Sequence, residues 1–242
     1  MNQAYSSLRS ITGNAYNERL FSGWGPRAAY HLSRYRWLAR EIQKLNLPHP
    51  RIIELGCFDG KTLDFIEKPS YYLGLDADGE GGLRFGQQRW QGIDNVELVM
   101  CRHADEIPNR GVFDLGVCME TFEHLSDDLA DAYLCKLRSL ITGKIFITVP
   151  RERGFVFLAK HLAKRAANMP STKCYSAKDV WMLATHHTNQ VQPDPRDGHK
   201  GFDDRRLLAM ISKYFHVERV TGIFPTPIRS LSLTTGIVAS AR

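Results

Sequence analysis

Short apolar runs alternate with helical patterns through the middle of this chain of 242 residues. The runs that we predict to be buried strands are RIIEL (51–55), YYLGLD (71–76), VELVM (96–100), FDLGVCM (113–119) and KIFITV (144–149). Helical patterns separate most of them, at KTLDFIE (61–67), GGLRFGQQRW (81–90) and SDDLADAYLCKLRSLI (126–141). Strands and helices that alternate in this way form right-handed βαβ units, so we predict a parallel sheet with helices on both faces.

The two ends of the chain depart from the alternation. Apolar residues recur at helical spacing over 26–46, which predicts a helix within an N-terminal helical segment, residues 1–48. Near the other end, a helix at 203–215 is followed by two strand patterns, 216–223 and 231–241, with no helix between them. Two such strands form an antiparallel pair at a sheet edge.

The predicted fold class is therefore α/β, a doubly wound, seven-stranded, mostly parallel sheet with an antiparallel edge pair. We expect a single domain over residues 1–242. Residues 151–202 do not fit the alternation, and we predict that they form a helical insertion after strand five that covers a substrate. Insertions in loops of this kind carry binding residues more often than the strands do.

Charge is unevenly distributed along the sequence. The net charge is +6, but residues 1–150 carry −2 and residues 151–242 carry +8. A basic half attracts an anionic substrate, a lipid headgroup or nucleic acid, or is simply a solvated surface. The five cysteines are scattered without a CxxC pair, which gives no sign of a zinc site or a disulfide framework. We expect a reduced, cytoplasmic environment.

The turn after the first strand has the sequence Gly56-Cys57-Phe58-Asp59-Gly60. Ligands of open α/β sheets bind beyond the carboxyl ends of the strands, so this turn is the first place to look for a site. A dinucleotide fingerprint requires GxGxxG, and a Walker loop requires GxxxxGK[ST]. The turn matches neither pattern, which leaves a nucleoside ligand without phosphates as the best candidate.

Two carboxylates follow the next strands. Asp76 ends strand two, 20 residues after Gly56, where a carboxylate accepts hydrogen bonds from both ribose hydroxyls. Asp105 follows strand three and is placed to receive an exocyclic adenine amine. S-adenosylmethionine has both the ribose hydroxyls and the adenine amine that these two carboxylates would bind.

The order of these motifs resembles the class I S-adenosylmethionine-dependent methyltransferases, in the branch that acts mainly on small molecules. Glu54, Gly56 and Gly60 match the acidic residue and two glycines of its first motif, with Phe58 in place of the middle glycine. Strand four and the Glu123-His124 pair after it also match. The resemblance implies cofactor contacts from Glu54, Gly56, Cys57, Phe58, Gly60, Asp76, Ala77, Ala104, Asp105, Met119 and Glu120.

The resemblance implies transfer of a methyl group to a small-molecule or lipid-linked acceptor, on oxygen. A base is needed only where the acceptor must lose a proton, and the histidines have a pKa suited to that task. We predict His124 and His199 as catalytic candidates, while His186 and His187 are further candidates at the end of a predicted helix. Any one of them could equally be structural.

The segment 154–168 interleaves apolar and basic residues and has two interpretations. It is either a lid helix that packs on its own domain, which the sequence favours, or a helix that docks on anionic lipid at the inner face of a membrane. An RNA methyltransferase and a non-catalytic methyltransferase-like binding protein remain alternative functions. No feature indicates DNA as a partner, and we predict no metal site.

Overall fold

The computed structural model describes residues 25–192, 194 and 199–242. Residues 1–24, half of the predicted N-terminal helical segment, lie outside the described residues. Within the described part, seven strands form one sheet in the order β3-β2-β1-β4-β5-β7-β6. Their bounds are β1 Arg51–Leu55, β2 Tyr71–Asp76, β3 Val96–Met100, β4 Phe113–Met119, β5 Ile141–Pro150, β6 Phe215–Gly222 and β7 Thr234–Ala241.

The sheet is parallel from β3 to β5, and β7 runs antiparallel to both β5 and β6. The predicted seven-stranded sheet with an antiparallel edge pair is therefore confirmed. Strand order reverses between β1 and β4, since β2 lies on one side of β1 and β4 on the other. A crevice at such a reversal is the usual ligand site of an open α/β sheet.

Six α-helices occur in the described residues. They are α1 Pro26–Gln43, α2 Leu83–Arg89, α3 Asp127–Leu140, α4 Gly154–Ala166, α5 Ala177–Ala184 and α6 Asp204–Tyr214. Helix α3 begins at the N-cap Ser126, whose hydroxyl accepts a hydrogen bond from the Leu129 amide, and Asp127 and Asp128 follow in its first turn. Both features stabilise a helix start, the first by satisfying a free N–H and the second by opposing the helix dipole.

Helices cover both faces of the sheet. On one face, Tyr35, Trp37 and Leu38 of α1 and Leu83 of α2 pack against buried residues of β1, β2 and β4. On the other face, residues of α3 and α6 such as Leu134 and Ile211 join a second core cluster. Near-continuous burial of β1, β2 and β4 follows from this double cover, and it explains why those strands are apolar throughout.

Two predicted helices are shorter than their sequence patterns. The predicted helix at 61–67 is a single 3-10 turn, Lys61–Asp64, that buries Thr62 and Leu63. Gly60, at the start of this turn, is in the left-handed region. Helix α1 ends at Gln43 rather than near 46, and Asn46 and His49 both have positive φ, which no α-helix continues through.

The insertion between β5 and α6 contains α4 and α5. Phe157, Leu183 and Val191 form a small separate core between them. Buried Asp204 at the start of α6 ties the insertion to the sheet, since Arg153 Nε donates to Asp204 at 2.5 Å and Arg229 at 2.8 Å. Arg151 lies 3.9 Å from the same carboxylate. The insertion is thus anchored by charge as well as by apolar packing.

None of the helices in the described residues is long and apolar enough to span a membrane.

Candidate functional site

The glycine turn after β1 folds across the end of β2. The amides of Gly56 and Cys57 both donate to the Leu75 carbonyl, at 2.7 and 3.1 Å. Gly56 and Gly60 have φ of 78° and 73°, in the left-handed region that favours glycine. A Cβ on Gly56 would lie 2.0 Å from Thr121 Oγ1, in the loop after β4. Gly56 is therefore needed both for its backbone conformation and for the close approach of β1 and β4.

Asp76 binds this turn with both carboxylate oxygens. Its Oδ2 accepts a hydrogen bond from the Phe58 amide at 2.8 Å, and its Oδ1 accepts one from the Asp78 amide at 2.7 Å. An ionised carboxylate offers about four acceptor positions. Two positions of Asp76 therefore remain for a ligand after the loop on each side is fixed.

Phe58 stands where the matching motif has its middle glycine, and its φ is 52°. A left-handed conformation costs a residue with a side chain about 1–2 kcal/mol. The hydrogen bond from its amide to Asp76 offsets part of that cost. The ring packs against Gly82 before α2, where any Cβ would lie 2.2 Å from ring atoms. The phenyl ring thus lines one side of the turn and does not displace its backbone.

Glu54 of β1 connects the segment after the turn to β2. Its carboxylate accepts hydrogen bonds from Thr62 Oγ1 at 2.7 Å and from the Tyr72 hydroxyl. Burial raises the pKa of Glu54 to about 7, although these two hydrogen bonds oppose the shift. The Cys57 thiol is also buried, against Gly74 of β2, and burial raises its pKa well above the usual value. Cys57 therefore presents its backbone, not a reactive thiolate, at the turn.

The predicted adenine contact lies at the end of β3. Ala104 and Asp105 form a short 3-10 turn with Glu106, and Asp105 is exposed. Glu106 fixes that turn by accepting a hydrogen bond from the Arg102 amide at 2.6 Å. Asp105 and Asp76 thus follow adjacent parallel strands, β3 and β2, at the same edge of the sheet.

Beyond β4 and β5 the site carries buried charges. Glu120 follows β4 with φ of 54°, and its Oε2 lies 3.9 Å from an Arg34 nitrogen on α1. Glu123, also in the loop after β4, is buried. Glu152, after β5, is buried too and forms an ion pair with Lys160 of α4. These side chains come from α1, the β4 loop, the β5 loop and α4.

Burial raises the pKa of Glu120, and Arg34 and Lys160 oppose that shift. Burial also raises the pKa of Glu123 well above its usual range, and the neighbouring carboxylate of Glu120 adds to the effect. We did not single out Arg34, Glu152 or Lys160 from the sequence, because none of them lies near the glycine turn that follows β1. The one signal in the sequence was that Arg34 is a charged residue within the apolar pattern of α1.

Of the histidines, the structure brings two together. The rings of His124 and His199 lie edge to face with centroids 5.0 Å apart, and His124 is exposed. His186 Nδ1 lies 3.1 Å from Arg153, and His187 Nδ1 lies 3.0 Å from Thr185 Oγ1, both within the insertion. Among the described residues, no group of three or more His, Cys, Asp or Glu has the geometry to hold a metal ion.

Comparison with known proteins shows which known fold this chain has. No protein-family model matches the chain, and no curated protein matches its sequence. A TehB-like SAM-dependent methyltransferase from Corynebacterium glutamicum superposes with a TM-score of 0.55 at 14% identity, covering 84% of this chain and 86% of that one.

This chain has the class I methyltransferase fold.

Two further solved structures have the same fold. Magnesium protoporphyrin IX methyltransferase from Synechocystis PCC 6803, with bound SAH, gives a TM-score of 0.55 at 13% identity, covering 99% of this chain and 93% of that one. The N-methyltransferase NodS from Bradyrhizobium japonicum WM9 gives 0.53 at 11% identity, covering 86% and 96%. These methyltransferases have different acceptors, so the shared fold carries no information about the acceptor of this chain.

Proposed function

We propose that this protein is an S-adenosylmethionine-dependent methyltransferase that acts on the oxygen of a small-molecule or lipid-linked acceptor. The observation that carries the proposal is Asp76. Its carboxylate lies at the carboxyl end of β2, the strand next to β1, is held by two loop amides, and keeps acceptor positions for two ribose hydroxyls.

The residues around Asp76 fit the rest of the cofactor. Ala104 and Asp105 would receive the adenine ring and its amine, and the backbone of Gly56 would pass close to the methionine part. Arg34 Nε and Glu120 Oε1 are buried and make no hydrogen bond within residues 25–192, 194 and 199–242. A guanidinium and a carboxylate side by side complement the carboxylate and the ammonium of an amino acid.

The remaining predicted contacts would shape the site. Met119 is buried at the end of β4, and Ala77 directly follows Asp76. Glu54, Cys57 and Phe58 would act through the conformation of the turn, and Gly60 through the close approach of its backbone to Trp90. None of these side chains needs to take part in the chemistry.

When bound, S-adenosylmethionine supplies an electrophilic methyl group with a good leaving group. The main task of this chain is then to hold the acceptor oxygen in line with that methyl group and to exclude water. The insertion begins directly after β5, the strand next to β4, and we propose that it covers the acceptor. His124 and His199 stay predictions as proton acceptors at the margin of the site.

A labelled-methyl assay tests the function. The protein is incubated with methyl-labelled S-adenosylmethionine and, in separate reactions, with a small-molecule extract, a lipid extract and total RNA. We expect label in the small-molecule or lipid fraction that disappears in the Asp76→Ala variant. Label in RNA alone, with a salt dependence steep enough to indicate phosphate contacts, would replace the proposed acceptor class.

A further inference from the structure

Glu123 is a buried carboxylate without an assigned partner. It lies in the short 3-10 turn Phe122–His124, directly after β4, and its exposed fraction is 6%. Neither of its carboxylate oxygens receives a hydrogen bond from another residue of 25–192, 194 and 199–242. A buried polar group left in that state is unfavourable, and more so when it is charged. A ligand that donates a hydrogen bond would remove the cost.

The charged neighbours of Glu123 are Glu120, Glu152 and Arg34. Glu152 is ion-paired with Lys160, and Glu120 lies 3.9 Å from the single guanidinium of Arg34. Three carboxylates therefore face two cations. Glu123 is the carboxylate without a cation of its own, which makes it the member of the cluster most able to accept a proton.

The place of Glu123 in the fold defines what it can reach. Glu120 and Glu123 follow β4, which is paired with β1 in the sheet. The loop after β1 is the one that would pass close to the methionine part of the cofactor. The insertion that would cover the acceptor starts after β5, the next strand, where Glu152 lies. Glu123 thus lies between the proposed cofactor loop and the proposed acceptor cover, and the inference below rests on the proposed function.

We propose that Glu123 is a catalytic residue that binds the acceptor hydroxyl and takes its proton. As the oxygen lone pair forms the bond to the methyl carbon, the bond from methyl carbon to sulfur breaks and its electron pair goes to sulfur. The hydroxyl proton goes to Glu123. The products are the methyl ether, S-adenosylhomocysteine and a neutral carboxyl group, which later releases the proton to water.

Two properties of the site favour Glu123 over His124 in this role. His124 is exposed and contacts the His199 ring, whereas Glu123 is enclosed at the site. Burial and the neighbouring Glu120 raise the pKa of Glu123, so its carboxylate holds a proton more readily than an exposed glutamate does.

The test uses sinefungin, a cofactor analogue in which a carbon that carries an amine replaces the methyl-bearing sulfonium. Its ammonium lies where the transferred methyl would lie, so a carboxylate at that point binds it. We measure dissociation constants of sinefungin and of S-adenosylhomocysteine by calorimetry for wild type and E123Q. We expect E123Q to weaken sinefungin about tenfold or more and S-adenosylhomocysteine less than about threefold.

The controls separate this inference from the proposed function. E97Q removes a carboxylate of β3 that is paired with Arg110, away from the site, and should leave both affinities unchanged. E123D keeps the charge and should retain part of the preference for sinefungin, which covers the case in which E123Q does not fold.

Equal effects of E123Q on both ligands, or no effect, would overturn the role of Glu123 while S-adenosylhomocysteine binding still supports the cofactor. Titration with MgCl₂ alone gives a second overturning result. Binding of Mg²⁺ that E123Q abolishes would mean that the carboxylates hold a cation. Failure of wild type to bind either nucleoside would instead overturn the proposed function, and the inference with it.

A different observation concerns the surface of α4. Phe155 and Leu162 are 72% and 55% exposed, whereas Val156, Phe157 and His161 of the same helix are buried. Phe155 and Leu162 lie seven residues apart and therefore share one face of α4. Met169 and Trp181, later in the insertion, are also exposed, at 42% and 67%. We name Phe155 and Leu162 the α4 patch.

Basic residues lie on α4 and follow it in the insertion. Lys164 and Arg165 lie in the last turn of α4, and exposed Lys173 and Lys178 follow in the insertion. The net charge of +8 over residues 151–242 has the same sign. Exposed aromatic and aliphatic residues among cations are typical of a surface that inserts into the headgroup region of an anionic bilayer. We infer that the α4 patch docks on an anionic phospholipid surface.

Vesicle sedimentation tests the docking. We compare vesicles of phosphatidylcholine alone with vesicles that contain phosphatidylglycerol, for wild type and for the double variant F155S/L162S. We expect binding only to the anionic vesicles, weaker by about tenfold in the double variant and reduced by salt. F85S, which removes an exposed phenylalanine of α2, is the matched control and should bind like wild type.

No binding by wild type, or an equal loss in F85S, would overturn this inference. A change of oligomeric state in F155S/L162S, seen by size-exclusion chromatography without any vesicle binding, would assign the α4 patch to a protein interface instead.

Discussion

The two sides of the crevice are built by different physical means. We call the ends of β1 and β2 the cofactor side, after the proposed nucleoside contacts, and the ends of β4 and β5 the acceptor side, after the proposed acceptor cover. The Arg34–Glu120 pair, which we propose for the amino-acid end of the cofactor, is counted with the acceptor side because Glu120 follows β4. On the cofactor side, at the ends of β1 and β2, main-chain amides carry the geometry: Gly56, Cys57, Phe58 and Asp78 all donate to Leu75 or Asp76. On the acceptor side, at the ends of β4 and β5, buried charged side chains from distant parts of the chain face one another.

The difference affects what each side can tolerate. Backbone hydrogen bonds depend on conformation and spacing, so the cofactor side depends on glycines and on one carboxylate. A cluster of buried charges depends on the balance of the charges, because removing one partner leaves another uncompensated. We therefore expect substitutions on the cofactor side to act through shape, and those beyond β5 to act through charge.

The largest expected effect lies where the insertion joins the sheet. Asp204→Asn removes the carboxylate that receives hydrogen bonds from Arg153 and Arg229. Breaking a buried ion pair on one side typically costs about 3–5 kcal/mol. Urea unfolding should therefore show a loss of that order in the free energy of unfolding.

The matched control for this prediction is Asp131→Asn. Asp131 pairs with Lys213 and with the Tyr214 hydroxyl at the surface. An exposed pair contributes little, so this variant should remain close to wild type in stability. Equal losses in both variants would show that burial does not set the energy of the Asp204 cluster.

Glu54 allows a pH test on the cofactor side. In the folded state the pKa of Glu54 is raised to about 7, above the usual 4.5. Its contribution to stability is therefore complete below pH 4.5 and is lost as the pH rises through 7. From this group we expect wild type to lose up to about 3 kcal/mol between about pH 5 and pH 8. In Glu54→Gln that part of the slope should vanish.

The comparison for Glu54 is Glu97→Gln. Hydrogen bonds from Arg110 lower the pKa of Glu97, so its stabilising contribution is already complete at pH 5 and its loss should not change the slope above it. A wild-type slope that survives in Glu54→Gln would assign the pH dependence to other buried carboxylates, such as Glu120 or Glu123.

A smaller effect distinguishes the steric role of Gly56 from the role of its backbone conformation. Gly56→Ala and Gly81→Ala both place a side chain at positive φ, at a cost of about 1–2 kcal/mol each. A Cβ at Gly81 meets open space, whereas one at Gly56 collides with Thr121. We expect Gly56→Ala to lose about 1–3 kcal/mol more than Gly81→Ala in thermal unfolding, and to lose cofactor affinity. Equal losses would mean that the β4 loop moves aside freely.

The position of the turn and of Asp76 could be predicted from the sequence because both are local features. Gly56, Gly60 and Asp76 lie at fixed spacings after two recognisable strands, whereas their contacts with a cofactor stay predictions. The fold class and the antiparallel edge followed from the same alternation. Phe58, which stands where the resembling motif has a glycine, donates its amide to Asp76, and that hydrogen bond does not depend on the side chain.

The acceptor side was not predictable, because its contacts are not local. Arg34 meets Glu120, and Lys160 meets Glu152, only after α1 and α4 pack at the sheet edge. The buried face of α4 could not be predicted either: Phe155 and Leu162 are exposed, whereas Phe157 is buried. Periodicity shows that a helix has two faces, but which face is buried depends on the partner that it meets.

The most direct test of the account is calorimetric titration of the protein with S-adenosylmethionine and S-adenosylhomocysteine. Asp78→Asn is the matched control, since Asp78 lies in the same loop and its carboxylate accepts a hydrogen bond from the Leu83 amide. We predict binding near micromolar that Asp76→Ala weakens about a hundredfold or more, while Asp78→Asn stays within a few-fold of wild type. Absence of binding in the folded wild type, or unchanged affinity in Asp76→Ala, would contradict the assignment of this crevice.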